Sequence, residues 1–170
     1  MVEYHIQTIR FLGDEMKKLI SIFLLLTALS TVSNAASKTI NDNEGIDING
    51  IMYYKSDLTP FTGRLKFHKD RSYYKNGKPH GKWLTFYPNG NLKSIENWKE
   101  GELVGKFVLY QNDGSKIFET TYLNGKDNGD YYLYHNNGKV QVQGRFLNGV
   151  PKGTWKYYND KGKLTGKAQY

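Results

Sequence analysis

The chain of 170 residues contains no cysteine. This absence excludes disulfide bonds, a catalytic thiolate and zinc sites with thiolate ligands. It also excludes a lipoprotein anchored through an acylated N-terminal cysteine. No glycine-rich loop precedes a helix to hold phosphate, and no acidic cluster has the spacing of a calcium loop. We therefore expect no catalytic residue, no metal site and no cofactor.

Aliphatic side chains are also scarce. Hydrophobic residues make up 38% of the chain, yet aromatic residues alone make up 15%, and 14 of these are tyrosines. Rings with a polar tip suit a thin, half-exposed sheet better than a thick aliphatic core. The formal net charge is +8. A basic surface of this kind favours anionic partners without identifying one.

The apolar run from Leu19 to Leu29 is shorter than the roughly 18–20 residues that span a bilayer. It follows a basic start at Met16 and precedes small residues at a peptidase site. This pattern predicts a signal-peptide helix over residues 16–35, with cleavage between Ala35 and Ala36. The mature protein is then periplasmic, on the cell surface or secreted.

Fifteen residues precede Met16, and their acidic side chains do not fit a signal peptide. Codons for Gly13 and Asp14 can contain a GGAG ribosome-binding sequence at a suitable distance before a start codon. We expect residues 1–15 to be a mis-annotated start and translation to begin at Met16.

A period of 24 residues organises the rest of the chain. Its three glycine columns are Gly77, Gly101, Gly125, Gly149; Gly81, Gly105, Gly129, Gly153; and Gly90, Gly114, Gly138, Gly162. Three aromatic columns share the period: Trp83, Phe107, Tyr131, Trp155; Phe86, Tyr110, Tyr134, Tyr158; and Tyr74, Trp98, Tyr122, Phe146, Tyr170. Columns of this kind indicate an array of identical units.

Each unit reads as a β-hairpin. Its two runs of alternating residues flank turns such as Pro88-Asn89-Gly90, and Asn, Asp and Gly at such positions accept positive φ. The predicted fold is all-β: an elongated, single-layer antiparallel meander of repeated hairpins, with the rings packed between units. Turn glycines and packing rings account for the repeating positions.

The part before the array is less regular. Residues 36–50 are polar and predict a flexible lead. Residues 51–72 predict a degenerate first repeat, because Gly63 precedes Gly81 by 18 residues rather than 24. Atypical terminal units commonly cap such arrays. Four regular repeats then fill residues 73–170.

The segment Tyr74 to Gly90 reads Tyr-Lys-Asn-Gly-Lys-x-x-Gly-x-Trp-x-x-Tyr-x-x-Asn-Gly apart from Phe86 at the second Tyr, and closely similar segments start at Trp98, Tyr122 and Phe146. This phrase resembles the bacterial MORN repeat variant. The resemblance implies a β-hairpin protein used for contacts. Similar repeats in eukaryotes are linked to membrane association and scaffolding, and many bacterial members bear an antitoxin label. That label fits an exported chain poorly, because toxin neutralisation normally takes place in the cytoplasm.

Candidate catalytic groups are better explained as surface residues. His80 and His135 fall in columns whose residue type varies between units. His68, Asp70 and Ser72 alternate along one strand and do not assemble a triad. The carboxylates of Asp127 and Asp130 flank a glycine and are expected to be solvated.

The leading hypothesis is therefore an exported, non-enzymatic interaction module that binds a protein or an anionic envelope component through its sheet, and does not bind nucleic acid. The expected partner-binding residues are Trp83, Tyr87, Tyr110, Tyr132, Tyr134, Trp155 and Tyr158. The alternatives are an antitoxin or immunity-like protein that contacts a toxin directly, and a binder of anionic phospholipid, at the membrane surface, or of glycan.

Overall fold

A computed structural model of the protein describes residues 37–170. The predicted start at Met16, the signal helix and the cleavage site at Ala35 and Ala36 lie outside these residues. Within them the fold is all-β, as predicted. A 3-10 turn occupies Asp42–Glu44, and no helix in this part of the chain is long and apolar enough to cross a membrane.

Within residues 37–170, sixteen strands follow one another. They are β1 (Thr39–Asn41), β2 (Gly45–Ile48), β3 (Ile51–Tyr54), β4 (Gly63–Phe67), β5 (Asp70–Lys75), β6 (Lys78–Pro79), β7 (Gly81–Phe86), β8 (Leu92–Lys99), β9 (Glu102–Leu103), β10 (Gly105–Tyr110), β11 (Lys116–Leu123), β12 (Lys126–Asp127), β13 (Gly129–Tyr134), β14 (Val140–Leu147), β15 (Val150–Tyr158) and β16 (Leu164–Gln169).

Fourteen of these strands form one long sheet in the order β1-β4-β5-β7-β8-β10-β11-β13-β14-β15-β16, with the short strands β6, β9 and β12 paired to β5, β8 and β11. Every pairing in it is antiparallel except that of β1 with β4. The prediction of sequential hairpins in one mostly antiparallel sheet is confirmed.

The hairpins β7–β8, β10–β11, β13–β14 and β15–β16 share one register. The first-strand ring of each unit stands opposite the same position of the second strand, as in Trp83↔Glu96, Phe107↔Thr120, Tyr131↔Gly144 and Trp155↔Ala168. Between β7 and β8, Tyr87 N–H donates to Asn91 O and closes a three-residue loop, in which Gly90 N–H donates to Tyr87 O at 2.8 Å. The 24-residue period therefore corresponds to one hairpin.

The loop conformation differs in detail from the expectation. Gly90 has φ 89, whereas Asn89 does not have positive φ, as in a turn closed by a left-handed glycine bulge. Asn89 contributes through its side chain instead, because Oδ1 accepts a hydrogen bond from Asn91 N–H at 3.1 Å. This explains why Lys161 is tolerated at the matching position of the last unit: no left-handed residue is needed there.

A second type of turn connects one hairpin to the next. Asn76 and Gly77 have φ 51 and 76, and both central residues of the three later connections also have positive φ. This is the two-residue turn that favours Asn-Gly. One of these connections has Glu100 in place of asparagine, at φ 53. A bulky side chain in the left-handed region is a source of strain.

The connecting turns also join neighbouring units through the backbone. Gly101 N–H donates to Pro79 O at 2.9 Å, Gly125 N–H to Leu103 O at 3.0 Å, and Gly149 N–H to Asp127 O at 2.7 Å. Each of these bonds repeats after 24 residues. The period therefore sets the contact between units as well as the fold of each unit.

The N-terminal part departs from the sequence-based expectation. The predicted flexible lead, residues 36–50, contains β1, the 3-10 turn and β2, because Ile40 is buried in a core with Met52, Phe61 and Tyr74. The predicted degenerate repeat, residues 51–72, does not form a hairpin of its own. Its β3 pairs with β2 in a second, two-stranded sheet, and its β4 pairs with β5 across the predicted boundary.

Candidate functional site

Strand pairing divides the side chains of the long sheet between two faces, because residues that stand opposite each other on paired strands point to the same side. One unbroken row of partners crosses the sheet from β4 to β16. Its members are Lys66, Arg71, Leu84, Ile95, Val108, Glu119, Tyr132, Gln143, Lys156 and Lys167. The ring column that contains Trp83 lies one residue away along the strands and therefore points to the opposite side.

The opposite side, here called the aromatic face, contains a nearly continuous series of rings. Centroid separations include 5.0 Å for Tyr74–Trp83, 5.4 Å for Trp83–Trp98 and 4.9 Å for Phe146–Trp155. Tyr74 and Trp155 are both buried, each 8% exposed. These distances are those of attractive edge-on and tilted ring pairs. The aromatic face is thus the packing core of the array.

One acid on the aromatic face, Glu96, has polar partners. Glu96 accepts hydrogen bonds from Ser94 Oγ at 2.8 Å and from Trp98 Nε1 at 2.9 Å. The indole of Trp83 donates to Tyr73 O at 2.8 Å. These bonds satisfy polar groups that packing of the rings removes from water.

The other side, here called the basic face, holds most of the sheet's exposed cations. It includes the row from Lys66 to Lys167 and the neighbouring row of partners that begins with Arg64 and Tyr73. The cations of the two rows are Arg64, Lys66, Arg71, Lys82, Lys106, Arg145, Lys152, Lys156 and Lys167, and the acids are Glu119 and Asp130. The formal charge of this face is therefore strongly positive.

Both acids of these two rows are paired with cations. Asp130 lies 3.2 Å from Arg145 Nη1. Glu119 lies 2.9 Å from Lys106 Nζ and 2.8 Å from Lys116 Nζ, and it accepts a hydrogen bond from the Tyr134 hydroxyl at 2.8 Å. Partial burial of Glu119 opposes its ionisation, but the hydrogen bonds from Lys116, Lys106 and Tyr134 outweigh burial and lower its pKa to about 2.

Burial, and then the hydrogen bond to Glu119, raise the pKa of Tyr134 well above its usual range. At neutral pH the tyrosine is therefore a neutral donor and the glutamate a charged acceptor. The Lys116 ammonium also lies 5.5 Å from the centre of the Tyr134 ring. This cluster orders the middle of the basic face.

The seven predicted partner-binding residues do not lie in one groove. Trp83 and Trp155 belong to the aromatic face, where they pack between units. Tyr132 and Tyr134 lie on the basic face with ring centroids 6.5 Å apart, and alternation along the strands puts two more on the same side, Tyr110 and Tyr158.

Tyr87 lies at a hairpin tip, where its hydroxyl donates to Tyr110 O at 2.7 Å. His135 holds the matching position two units later, and its Nε2 lies 2.9 Å from Tyr158 O. Both side chains bridge one tip to the next. The sequence predicted only a surface position for His135. The structure shows in addition that the residue at this column links neighbouring units.

The remaining candidate acids have structural partners. Asp70 accepts a hydrogen bond from Phe86 N–H at 2.8 Å, and Asp127 accepts one from Thr120 Oγ1 at 2.8 Å. Among residues 37–170, no group of three or more histidines and acids is arranged to hold a metal ion.

Sequence reasoning missed the cations of the irregular first strands. Arg64, Lys66 and Arg71 line a groove of about 890 Å³ over β4, β5 and β7, together with Lys82 from the first regular repeat. The available signal was period-two alternation, since Arg64 and Lys66 are two residues apart and Arg71 precedes Tyr73 by two. The columns of the repeat do not extend to this segment, so they give no indication of the groove.

Comparison with solved structures gives only distant likenesses. A mutant of TarM from S. aureus, in complex with fondaparinux, alpha-GlcNAc-glycerol and UDP, is 14% identical with a TM-score of 0.36, covering 52% of this chain and 18% of that one. The Glycosylation Associate Protein complex from Streptococcus agalactiae is 15% identical with a TM-score of 0.35, covering 76% and 23%. The chain thus spans about a fifth of the length of these structures. Among curated proteins, none matches it.

A family model described as the MORN repeat variant matches residues 79–100, 127–148 and 151–170. The segment 103–124 lies outside the three matches, although it folds into the same hairpin, β10–β11. The matched segments coincide with the hairpins and with the aromatic columns that pack between them. The chain belongs to the MORN repeat variant family, with three matched repeats.

Proposed function

We propose that this protein is a non-enzymatic binding module whose basic face contacts an anionic component of the cell envelope. The observation that carries the proposal is the division of the sheet into two faces. The rings that stabilise the array lie on one side, and the cations lie on the other, where they are not needed for packing. A surface of one charge sign attracts and orients partners of the opposite sign.

Three pairs of like charges in the two rows support the proposal. Lys66 stands opposite Arg71, Arg145 opposite Lys152, and Lys156 opposite Lys167. Like charges directly across a strand pair are destabilising, so these pairs weaken the free protein. A bound anion between the two cations of a pair removes the repulsion. Residues that cost stability without an evident structural gain are typical of binding sites.

The proposed location follows from the signal peptide predicted over residues 16–35, which directs the chain out of the cytoplasm. Envelope polymers and lipid headgroups are abundant anions in that setting. The family supports a role in contacts rather than catalysis, and the acids considered above are used in structural bonds. The proposed mechanism is therefore electrostatic capture on the basic face of a sheet held rigid by its aromatic face.

Retention on immobilised heparin, measured as the salt concentration at elution, tests the proposal. A basic-face variant replaces Arg64, Lys82, Lys156 and Lys167 with glutamine. A control variant with the same change in net charge replaces four lysines outside the two rows: Lys55, Lys139, Lys161 and Lys163. We expect the basic-face variant to elute at much lower salt and the control to elute near the wild type. Equal losses would mean that net charge alone causes retention, and an unretained wild type would refute the proposal outright.

A further inference from the structure

The basic face is not uniform, and its N-terminal end forms a groove. The groove lies over β4, β5 and β7 and has a volume of about 890 Å³. This is within the roughly 300–1,000 Å³ typical of ligand pockets. A second hollow of about 570 Å³ shares His68, Lys69, Asp70 and Phe86 with it and extends the groove toward the hairpin tip at Tyr87 and Pro88. The combined recess is elongated along the strands.

Four cations line the groove, and none of them has an acidic partner within residues 37–170. Arg64, Lys66, Arg71 and Lys82 line it, and within residues 37–170 the ion pairs of the basic face all lie elsewhere, at Glu119 and Asp130. Lys66 and Arg71 are direct cross-strand partners. The strands β4, β5 and β7 are neighbours, so the cations are spread over about 10 Å across the sheet. This spacing suits several anionic groups on one ligand better than a single small ion.

The acid that lines the groove, Asp70, takes part in a structural hydrogen bond. Asp70 accepts the hydrogen bond of Phe86 N–H and so fixes the end of β7 against the start of β5. The hydrogen bond leaves the carboxylate charged, so the lining carries one negative charge against the positive charges of Arg64, Lys66, Arg71, Lys82 and Lys69. The electrostatic character of the recess is set by the four cations and by Lys69 at the turn.

Aromatic and apolar side chains form the rest of the lining. Tyr73, Leu84 and Phe86 lie among the cations, and Phe67, which is 47% exposed, lines the adjoining hollow. His68, at the turn between β4 and β5, has φ 51 and its ring lies 4.4 Å from that of Phe67. Rings beside cations offer a ligand both a flat apolar surface and anion contacts.

From this combination we infer that the groove binds an acidic oligosaccharide, a chain of sugar rings that bear sulfate, phosphate or carboxylate groups. The inference rests on the proposed function and names its ligand class. The anionic groups contact Arg64, Lys66, Arg71 and Lys82, and the sugar rings lie against Tyr73 and Phe86. A recess accepts a narrow chain along its length, whereas a bilayer surface reaches only the rim. The charge complementarity and the elongated form therefore favour a glycan over a membrane.

Calorimetric titration of the full chain with a heparin hexasaccharide tests the inference. The groove variant Arg71→Gln/Lys82→Gln is compared with the variant Lys156→Gln/Lys167→Gln, which removes the same charge at the far end of the same face. We expect about tenfold weaker binding or more for the groove variant and little change for the other. A third variant, Phe86→Leu, keeps all charges. It is expected to weaken binding of the hexasaccharide without changing the retention of the protein on a cation-exchange resin. Thermal unfolding of each variant verifies that it is folded.

Two further probes are titrated in parallel with the hexasaccharide. Vesicles of phosphatidylglycerol present anionic charge without a glycan chain, and neutral dextran oligosaccharide presents a glycan chain without charge. Binding to the vesicles but not to the hexasaccharide, or equal losses in the two double variants, would overturn the inference while leaving the proposed function intact. Binding to none of the anionic probes would overturn both.

Discussion

The hydroxyl of Tyr134 on β13 donates a 2.8 Å hydrogen bond to Glu119 on the neighbouring strand β11, beneath the ammonium groups of Lys106 and Lys116. This contact joins two consecutive repeats on the basic face. It places a carboxylate where the surrounding surface is positive, so the acid stabilises the array locally without cancelling the charge of the face as a whole.

Replacement of Glu119 by glutamine should make the protein less stable at neutral pH by about 1–2 kcal/mol, because hydrogen bonds to a charged group are lost. The pKa of Glu119 is lowered from 4.5 to about 2 in the folded protein. Its contribution is therefore fully present above pH 4.5 and disappears as the pH falls toward 2. Urea unfolding of both proteins between pH 7 and 2 measures this difference. A stability gap that did not shrink with acid would contradict the assignment.

Trp155 should be sensitive to any side chain added beneath it. A Cβ at Gly144 would overlap the Trp155 ring, so Gly144→Ala forces the ring to move. We expect a loss of roughly 1–3 kcal/mol, as in other overpacked cores. Gly166→Ala is the matched control, because the nearest atom is Tyr157 Cδ2 at an ordinary 3.8 Å. Thermal unfolding measures both variants, and equal effects would show that the ring does not pack on Gly144.

The strained connection at Glu100 should be easy to improve. Its φ is 53, and the matching positions of the other regular connections hold Asn76, Asn124 and Asn148. Glu100→Asn should raise the free energy of unfolding by about 0.5–1 kcal/mol, since asparagine tolerates the left-handed region. The reverse change, Asn124→Glu, should cost a similar amount. Denaturant unfolding of the two variants tests the prediction, which fails if they shift in the same direction.

The repeating part of the fold was predictable because its determinants are local. A turn such as Asn76-Gly77 requires particular residues at particular φ values, and the ring columns at Trp83 and Tyr74 show which positions pack. Both signals recur every 24 residues, so one unit predicts the others. Only the loop type at Gly90 differed, because the side-chain bond of Asn89 does not follow from the residue pattern alone.

The N-terminal part could not be predicted in the same way. The parallel pairing of Thr39 with Arg64 joins positions far apart in the sequence, and no turn motif marks it. Burial of Ile40 beneath β3 likewise depends on tertiary contacts. The groove at Lys66 and Arg71 was missed for the same reason, since it is built from strands on both sides of the boundary expected at residue 72.

The separation of stabilising rings from binding cations can be tested on a single variant, Lys66→Glu. The change converts the like-charge pair with Arg71 into an opposite-charge pair, so we expect a gain of about 0.2–1 kcal/mol in the free energy of unfolding. The same variant should elute from heparin at clearly lower salt, whereas Lys55→Glu, with the same change in net charge, should elute near the wild type. A Lys66→Glu protein that loses stability, or that is retained as strongly as the wild type, would contradict the account.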